Sequence, residues 1–284
     1  MGIPAQPLSD SGIQLLAQKV IKDSGFSKPP ICEKRVAQIL GIMIKEFVVP
    51  TKKRKPPLLR YLSQSCSYLR LQKGKPCIFV WKEMSRGRVR LSVFHECAHF
   101  IIPWHKQFNY LAPQQIPPFF LSRLEDEAFR LAEELIAPRE MVWKDLQSKD
   151  PDFATIEWLR HRYQMSRAVA LHRFVRFFPG AVASFVLVPL PTNNSLITQE
   201  IKTSPFFPYF IRPKMLIKPA HPLYQLYYRQ SIVPEEVEGR TLGVSGPSQS
   251  YLVQIFPHFP GQKAQVLLWS QPSRIKPQTL LPVV

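Results

Sequence analysis

His95-Glu96-Cys97-Ala98-His99 constrains this chain more than any other stretch of it. It is an H-E-x-x-H pattern. On a helix, residues i and i+4 share one face, with Cβ atoms about 5–6 Å apart. That spacing lets two imidazoles reach one tetrahedral zinc ion and sets a glutamate beside it. Glu96 is therefore the candidate general base acting on a metal-activated water, and the chemistry suits hydrolysis of a peptide bond. Three fixed positions also arise by chance, on an amphipathic helix with two polar histidines turned to solvent. The flanks argue for the metal. Leu91, Val93, Phe94, Ala98, Ile101 and Ile102 surround the motif with apolar residues at helical spacing. Ser92 offers an N-cap and Pro103 a stop. Buried histidines and a buried glutamate need partners, and a metal supplies one.

A third protein ligand is required, and two regions offer one. His105 lies six residues after His99, the H-E-x-x-H-x-x-x-x-x-H spacing, but Ile102 stands where that pattern needs a turning glycine. The second region is Leu124 to Pro138, where Ala128, Leu131, Ala132, Leu135 and Ile136 form an apolar stripe that Pro138 closes. Glu127 borders this stripe and is the preferred third ligand, giving a His-His-Glu set. Glu125 and Asp126 read as an acidic helix start favoured by the macrodipole, with Glu125 kept as an alternative ligand beside His105. Cys97 sits off the histidine face and reads as a small buried apolar residue.

These residues resemble a known family. Arg90 through His99 is similar to the R-F-T-L-A-H-E-L-G-H core of the ImmA/IrrE metallopeptidases, and Glu127-Ala128 through Pro138 to that family's E-A-N-x-F-A-x-x-L-L-M-P helix. Pro29-Pro30-Ile31 through Gly41-Ile42 resembles its opening segment, so the likeness spans about residues 12–178. The resemblance implies a cytoplasmic, zinc-dependent, site-specific endopeptidase that cleaves a helix-turn-helix repressor and so releases stress-response or mobile-element genes. It implies His95, His99 and Glu127 as ligands of Zn2+ and Glu96 as base. One departure stands out: Phe129 replaces the polar Asn or Asp that usually follows the Glu-Ala pair. Loss of a ligand-orienting polar group typically costs about 10–100-fold in metal affinity.

Charge bears on partners. The net charge is +18, and residues 51–110 hold 13 Lys/Arg against 2 Asp/Glu. Lys52-Lys53-Arg54-Lys55 is the densest run, a candidate contact for nucleic acid or an acidic partner, or else a solvated loop. Four cysteines without C-x-x-C spacing fit free thiols in a reducing cytoplasm. No apolar run approaches a membrane span, and the N-terminus lacks the pattern of a signal peptide.

The fold class expected is α+β. Residues 1–140 read as a small zincin-like metallopeptidase domain, with Ile78, Phe79 and Val80 in a strand that is a candidate for pairing with an extended substrate. Residues 141–180 read as a helical, helix-turn-helix-like domain, in which Arg167, Arg173 and Arg176 are candidate phosphate contacts. Residues 181–284 read as a mixed α/β C-terminal domain, by analogy of order a GAF-like sensor. Candidate oxyanion stabilisers are His105, His161 and Tyr110, each also readable as a surface or packing residue. The alternative to a peptidase is a DNA- or partner-binding regulator with a vestigial or structural metal site.

Overall fold

The computed structural model describes residues 7–48, 67–108, 115–191, 194–230, 233–245, 249–256 and 262–270. It is an α+β chain of two compact units. One unit comprises residues 1–141 with 159–169, the other 142–158 with 170–284. The segment 141–180, expected as a domain of its own, is shared between them. About 40 residues of short helices are too few to enclose a core alone.

In the first unit, α1 (Asp10–Asp23) starts at Ser9, whose hydroxyl accepts the Gly12 N–H at 3.1 Å. This satisfies one of the free donors at the helix start. Its buried residues Ile13, Ala17, Val20 and Ile21 recur at helical spacing. After α2 (Glu33–Ile39) come β1 (Met43–Phe47), β2 (Ser67–Gln72) and β3 (Lys75–Trp81). β2 and β3 form a hairpin through Lys73 and Gly74, both at positive φ (51° and 75°). That backbone matches the strand twist and favours glycine at the second position.

The described strands run β1-β3-β2, with β3 parallel to β1 and antiparallel to β2. Ile78 pairs with Ile44 on one side and Leu69 on the other, and Phe79 and Val80 are flanked likewise. Both edges of β3 are thus taken, and Ile78, Phe79 and Val80 cannot receive a substrate strand. The apolar run Cys77–Trp81 predicts a strand but carries no information on its place in the sheet.

Helix α3 (Arg86–Ile101) carries the H-E-x-x-H pattern. It begins after Ser85 rather than at Ser92, because Arg86–Leu91 extends the same helix toward its N-terminus. Ile102 turns extended, and a 3₁₀ turn, Pro103–Gln107, follows, as the missing N–H of Pro103 requires. Helix α4 (Pro118–Ile136) packs along α3 and stops at Ala137, before Pro138.

Three further helices follow: α5 (Arg139–Leu146), α6 (Phe153–Tyr163) and α7 (Arg167–Phe177). Gln164 takes the left-handed backbone (φ 50°) between α6 and α7 that a glycine usually fills. Arg173 is 1% exposed, with its guanidinium 4.4 Å from the Phe177 ring centroid. It therefore cannot meet phosphates. The aliphatic stem and ring placement make it a core residue.

The second unit holds an antiparallel sheet of order β6-β5-β4-β9-β8-β7: β4 (Val182–Leu190), β5 (Ser195–Thr203), β6 (Leu216–Ile217), β7 (Glu235–Glu238), β8 (Ser250–Ile255) and β9 (Ala264–Trp269). Helix α8 (Pro222–Arg229), capped by His221 accepting from Leu223 N–H, buries Leu223, Leu226 and Tyr227 in a core with Phe185, Leu187 and Val253. Among the described residues, no helix is long and apolar enough to cross a membrane. The run Lys52-Lys53-Arg54-Lys55 and Tyr110 lie outside the described residues.

Candidate metal centre

Arg90, five residues before His95, fixes α3 in the first unit. It is 1% exposed and surrounded by acceptors. Its Nε donates to Glu33 Oε2 at 3.0 Å, and its Nη1 donates to the carbonyls of Tyr163 at 2.8 Å and Gln164 at 3.1 Å. Its other amino group donates to the Ile31 carbonyl. A buried guanidinium tied to a carboxylate and three carbonyls has its desolvation offset by charge-assisted bonds. Nearby, Gly87 approaches the α6–α7 turn so closely that a Cβ there would lie 2.7 Å from Ser166 N and 2.8 Å from Met165 C.

With α3 so held, His95 and His99 face one point. Their Nε2 atoms are 3.2 Å apart. Glu125 on α4 completes the set: its Oε2 is 3.1 Å from His95 Nε2, and its Oε1 is 3.7 Å from His99 Nε2. Donors about 2.0–2.1 Å from a tetrahedral zinc lie about 3.3 Å from one another. The three observed separations bracket that value, so this donor set fits the ion. His95, His99 and Glu125 are the described His, Cys, Asp and Glu residues whose donor atoms gather in this way. The side chains of His95, His99 and Glu125 are 20%, 14% and 54% exposed. One side of the site is therefore open, as a catalytic rather than a closed structural site requires.

Glu127, the preferred third ligand on sequence, is not in this cluster. Its side chain is fully buried, and its carboxylate accepts from Trp104 Nε1 at 2.9 Å, Arg123 Nε at 3.0 Å and the Leu8 N–H at 3.0 Å. The apolar stripe of α4 does place Glu127 inward, but the inward face meets Trp104 and Arg123, and Glu125 lies on the face turned to the histidines. His105, the other alternative, is also not a donor to this point: its Nδ1 lies 3.1 Å from Nδ1 of His99, on the far side of that imidazole.

Glu96 is 8% exposed and accepts from the Ser67 hydroxyl at 2.8 Å. Burial pushes its carboxyl above the usual range, opposed by His95 and by the Ser67 hydrogen bond. A carboxylate raised toward neutrality is suited to taking and returning a proton. His99 is held down to about 3, by burial first and then by His95. For His95, burial acts against the charged form, but the Glu125 hydrogen bond and the Glu96 and Glu125 charges outweigh it and raise the pKa. Ser67, Trp104 and Arg123 escaped the sequence reading. Ser67 and Trp104 reach it through contacts distant in the chain that no local spacing marks, whereas Arg123 stands one helical turn before Glu127 on α4.

Residues 40–175 match the family described as Peptidase_M78, the IrrE N-terminal-like domain. The chain carries an IrrE-like peptidase-family domain. The match takes in α3, α4 and the Ser67–Glu96 contact and runs on through α6 to the last turns of α7. Among solved structures, the chain is similar to a Mycobacterium tuberculosis transcriptional regulator, at 12% identity and a TM-score of 0.52, covering 92% of this chain and 76% of that one. At that identity the likeness concerns the fold alone. No curated protein matches.

Proposed function

We propose that this IrrE-like protein is a zinc-dependent endopeptidase, with His95, His99 and Glu125 as the ligands and Glu96 as general base. The observation that carries the reading is the mutual spacing of the three donors, 3.1–3.7 Å, on an open face with a buried glutamate beside it. Zinc bound there would polarise a substrate carbonyl and acidify a water. Glu96 takes the proton of that water and later delivers it to the leaving amine, while Ser67 fixes the orientation of its carboxylate. Among the described residues, β2 pairs on one side only, with β3. Its other edge suits an extended substrate, which strand addition would align through main-chain hydrogen bonds.

The substrate we propose is a DNA-binding regulator of the helix-turn-helix type, cleaved in the cytoplasm as part of a stress or mobile-element response. The family resemblance supports this, and the charge of +18 suits work near nucleic acid. The test is mass-spectrometric mapping of new protein N-termini in a lysate of the host cell, after addition of zinc-loaded protein. New termini should appear with the wild type, one of them within a DNA-binding regulator, and vanish with Glu96→Gln or a chelator. Identical termini with wild type and Glu96→Gln would refute the peptidase reading. The same charge favours a second reading, a DNA- or partner-binding regulator with a structural metal site. That reading predicts tight, steeply salt-dependent DNA binding unaffected by Glu96→Gln.

A further inference from the structure

Among the described residues, one edge of β2 has no partner strand, and the side chains along it are sorted by face. Successive residues of a strand alternate between faces, and residues directly opposite in neighbouring strands share one. Ser67, Leu69 and Leu71 therefore stand on the side of the sheet that meets α3, where Ser67 bonds Glu96 and Ile78 and Val80 are buried. Tyr68, Arg70 and Gln72 stand on the outer side, in register with Phe79, Cys77 and Lys75. The two sides differ in chemistry. On the α3 side, Leu69 is half-buried and Leu71 is 44% exposed, so apolar surface runs along the rim away from Ser67. On the outer side, Tyr68 leans over β3, stacked on Phe79 at 5.0 Å between centroids. Arg70 is left at the edge, exposed and without an ion pair among the described residues. Lys45 and Lys75 lie on the same outer side, and the described strand residues there include no Asp or Glu.

We propose that this edge selects an extended substrate segment whose side chains alternate, apolar opposite Leu69 and Leu71 and acidic opposite Arg70; this rests on the peptidase reading above. Main-chain hydrogen bonds to an added strand give affinity with little regard to sequence, and the side chains beside it supply the choice. Opposite charges and apolar pairs across neighbouring strands are favourable, and like charges are not. A slip of one residue would set carboxylates against the leucines and an apolar group against Arg70, so the alternation fixes the register. The sharing of faces holds for parallel and antiparallel addition alike. The Ser67–Glu96 contact marks the catalytic end of the strand. Arg70 stands three residues further on, about 10 Å along a strand that rises 3.2–3.4 Å per residue. The acidic side chain of the substrate thus lies about three residues from the scissile bond, on one side of it only, with apolar neighbours before and after.

Binding is measured by fluorescence anisotropy on the full-length Glu96→Gln protein, with three labelled octapeptides. One alternates Leu and Glu, the second has the same composition in two blocks, and the third alternates Leu and Lys. The alternating Leu/Glu peptide should bind about three- to tenfold tighter than its block isomer. It should also bind tighter than the Leu/Lys peptide, and Arg70→Glu in the same background should reverse that order. Lys45→Glu makes the same change of charge on the same face, two strands from the free edge, and should keep the order. Equal affinity for the two isomers overturns the proposal, as does absence of binding by all three peptides. An equal shift in Arg70→Glu and Lys45→Glu overturns it too, because net charge alone would then explain the preference. Zinc-loaded wild type is tested separately for cleavage of the alternating Leu/Glu peptide. Selective binding without cleavage refutes the peptidase reading and leaves the edge selection standing, which keeps the two failures apart.

Discussion

Arg90→Met is the perturbation that most directly tests how this fold aims its site. Methionine keeps most of the aliphatic stem and removes the guanidinium. Four acceptors lose their donor: the carbonyls of Ile31, Tyr163 and Gln164 and the carboxylate of Glu33. The Glu33 side chain is 14% exposed and can recover some solvation. A buried acceptor left unsatisfied costs about 1–3 kcal/mol. Some of the three carbonyls rehydrate as the α6–α7 turn relaxes, so the sum of separate penalties is an upper bound. Removing one partner of a buried ion pair costs about 3–5 kcal/mol, and we expect the net loss in that range. This is a large part of the roughly 5–15 kcal/mol that holds a typical domain folded. Urea unfolding, read together with hydrogen exchange at the α3 amides, measures it. Glu33→Gln should be milder, about 1–2 kcal/mol, since the amide oxygen still accepts from Nε. A loss below about 1 kcal/mol for Arg90→Met would show that Arg90 is a passenger and that packing alone orients α3.

Three further outcomes follow from the geometry. Gly87→Ala gains up to about 1 kcal/mol of helix propensity, but its Cβ would meet backbone atoms at 2.7–2.8 Å; the clash outweighs the gain, and a urea midpoint at or above wild type would contradict this. Ser67→Ala should leave Zn2+ binding within a few-fold of wild type while lowering kcat, because it loosens Glu96 and no ligand; a fall in Zn2+ affinity matching the fall in kcat would refute that division. Phe129 is 41% exposed and lies one helical turn beyond Glu125, so Phe129→Asn offers that carboxylate a hydrogen bond and should tighten Zn2+ binding by up to about tenfold in chelator competition, whereas weaker binding would show that the ring shields the site.

The sequence shows α3 clearly because everything that defines the histidine pair is local: spacing, apolar flanks and the stop at Pro103. The choice between Glu125 and Glu127 was not legible there. The apolar stripe of α4 marks Glu127 as inward, and an inward carboxylate resembles a ligand. In the structure the carboxylate beside the two histidines is Glu125, at the exposed rim of the stripe, and the one at its centre, Glu127, is satisfied by protein groups. Of those groups, Arg123 stands one turn before Glu127 on the same helix, while Trp104 and the Leu8 N–H reach it only in the folded chain. The place of β3 at the centre of its sheet is likewise a matter of long-range pairing, which the apolar run Cys77–Trp81 cannot reveal. Arg173 looked like a phosphate contact by type alone, and its burial beside Phe177 reverses that reading.

The central claim is that His95, His99 and Glu125 together hold one metal ion. Zinc per chain, by elemental analysis after reconstitution and exhaustive dialysis, tests it in wild type, Glu125→Ala and Glu127→Ala. The account predicts about one zinc in wild type, none retained in Glu125→Ala, and zinc retained with weaker affinity in Glu127→Ala. Zinc retained in Glu125→Ala and lost in Glu127→Ala, or no zinc in the wild type, would contradict it.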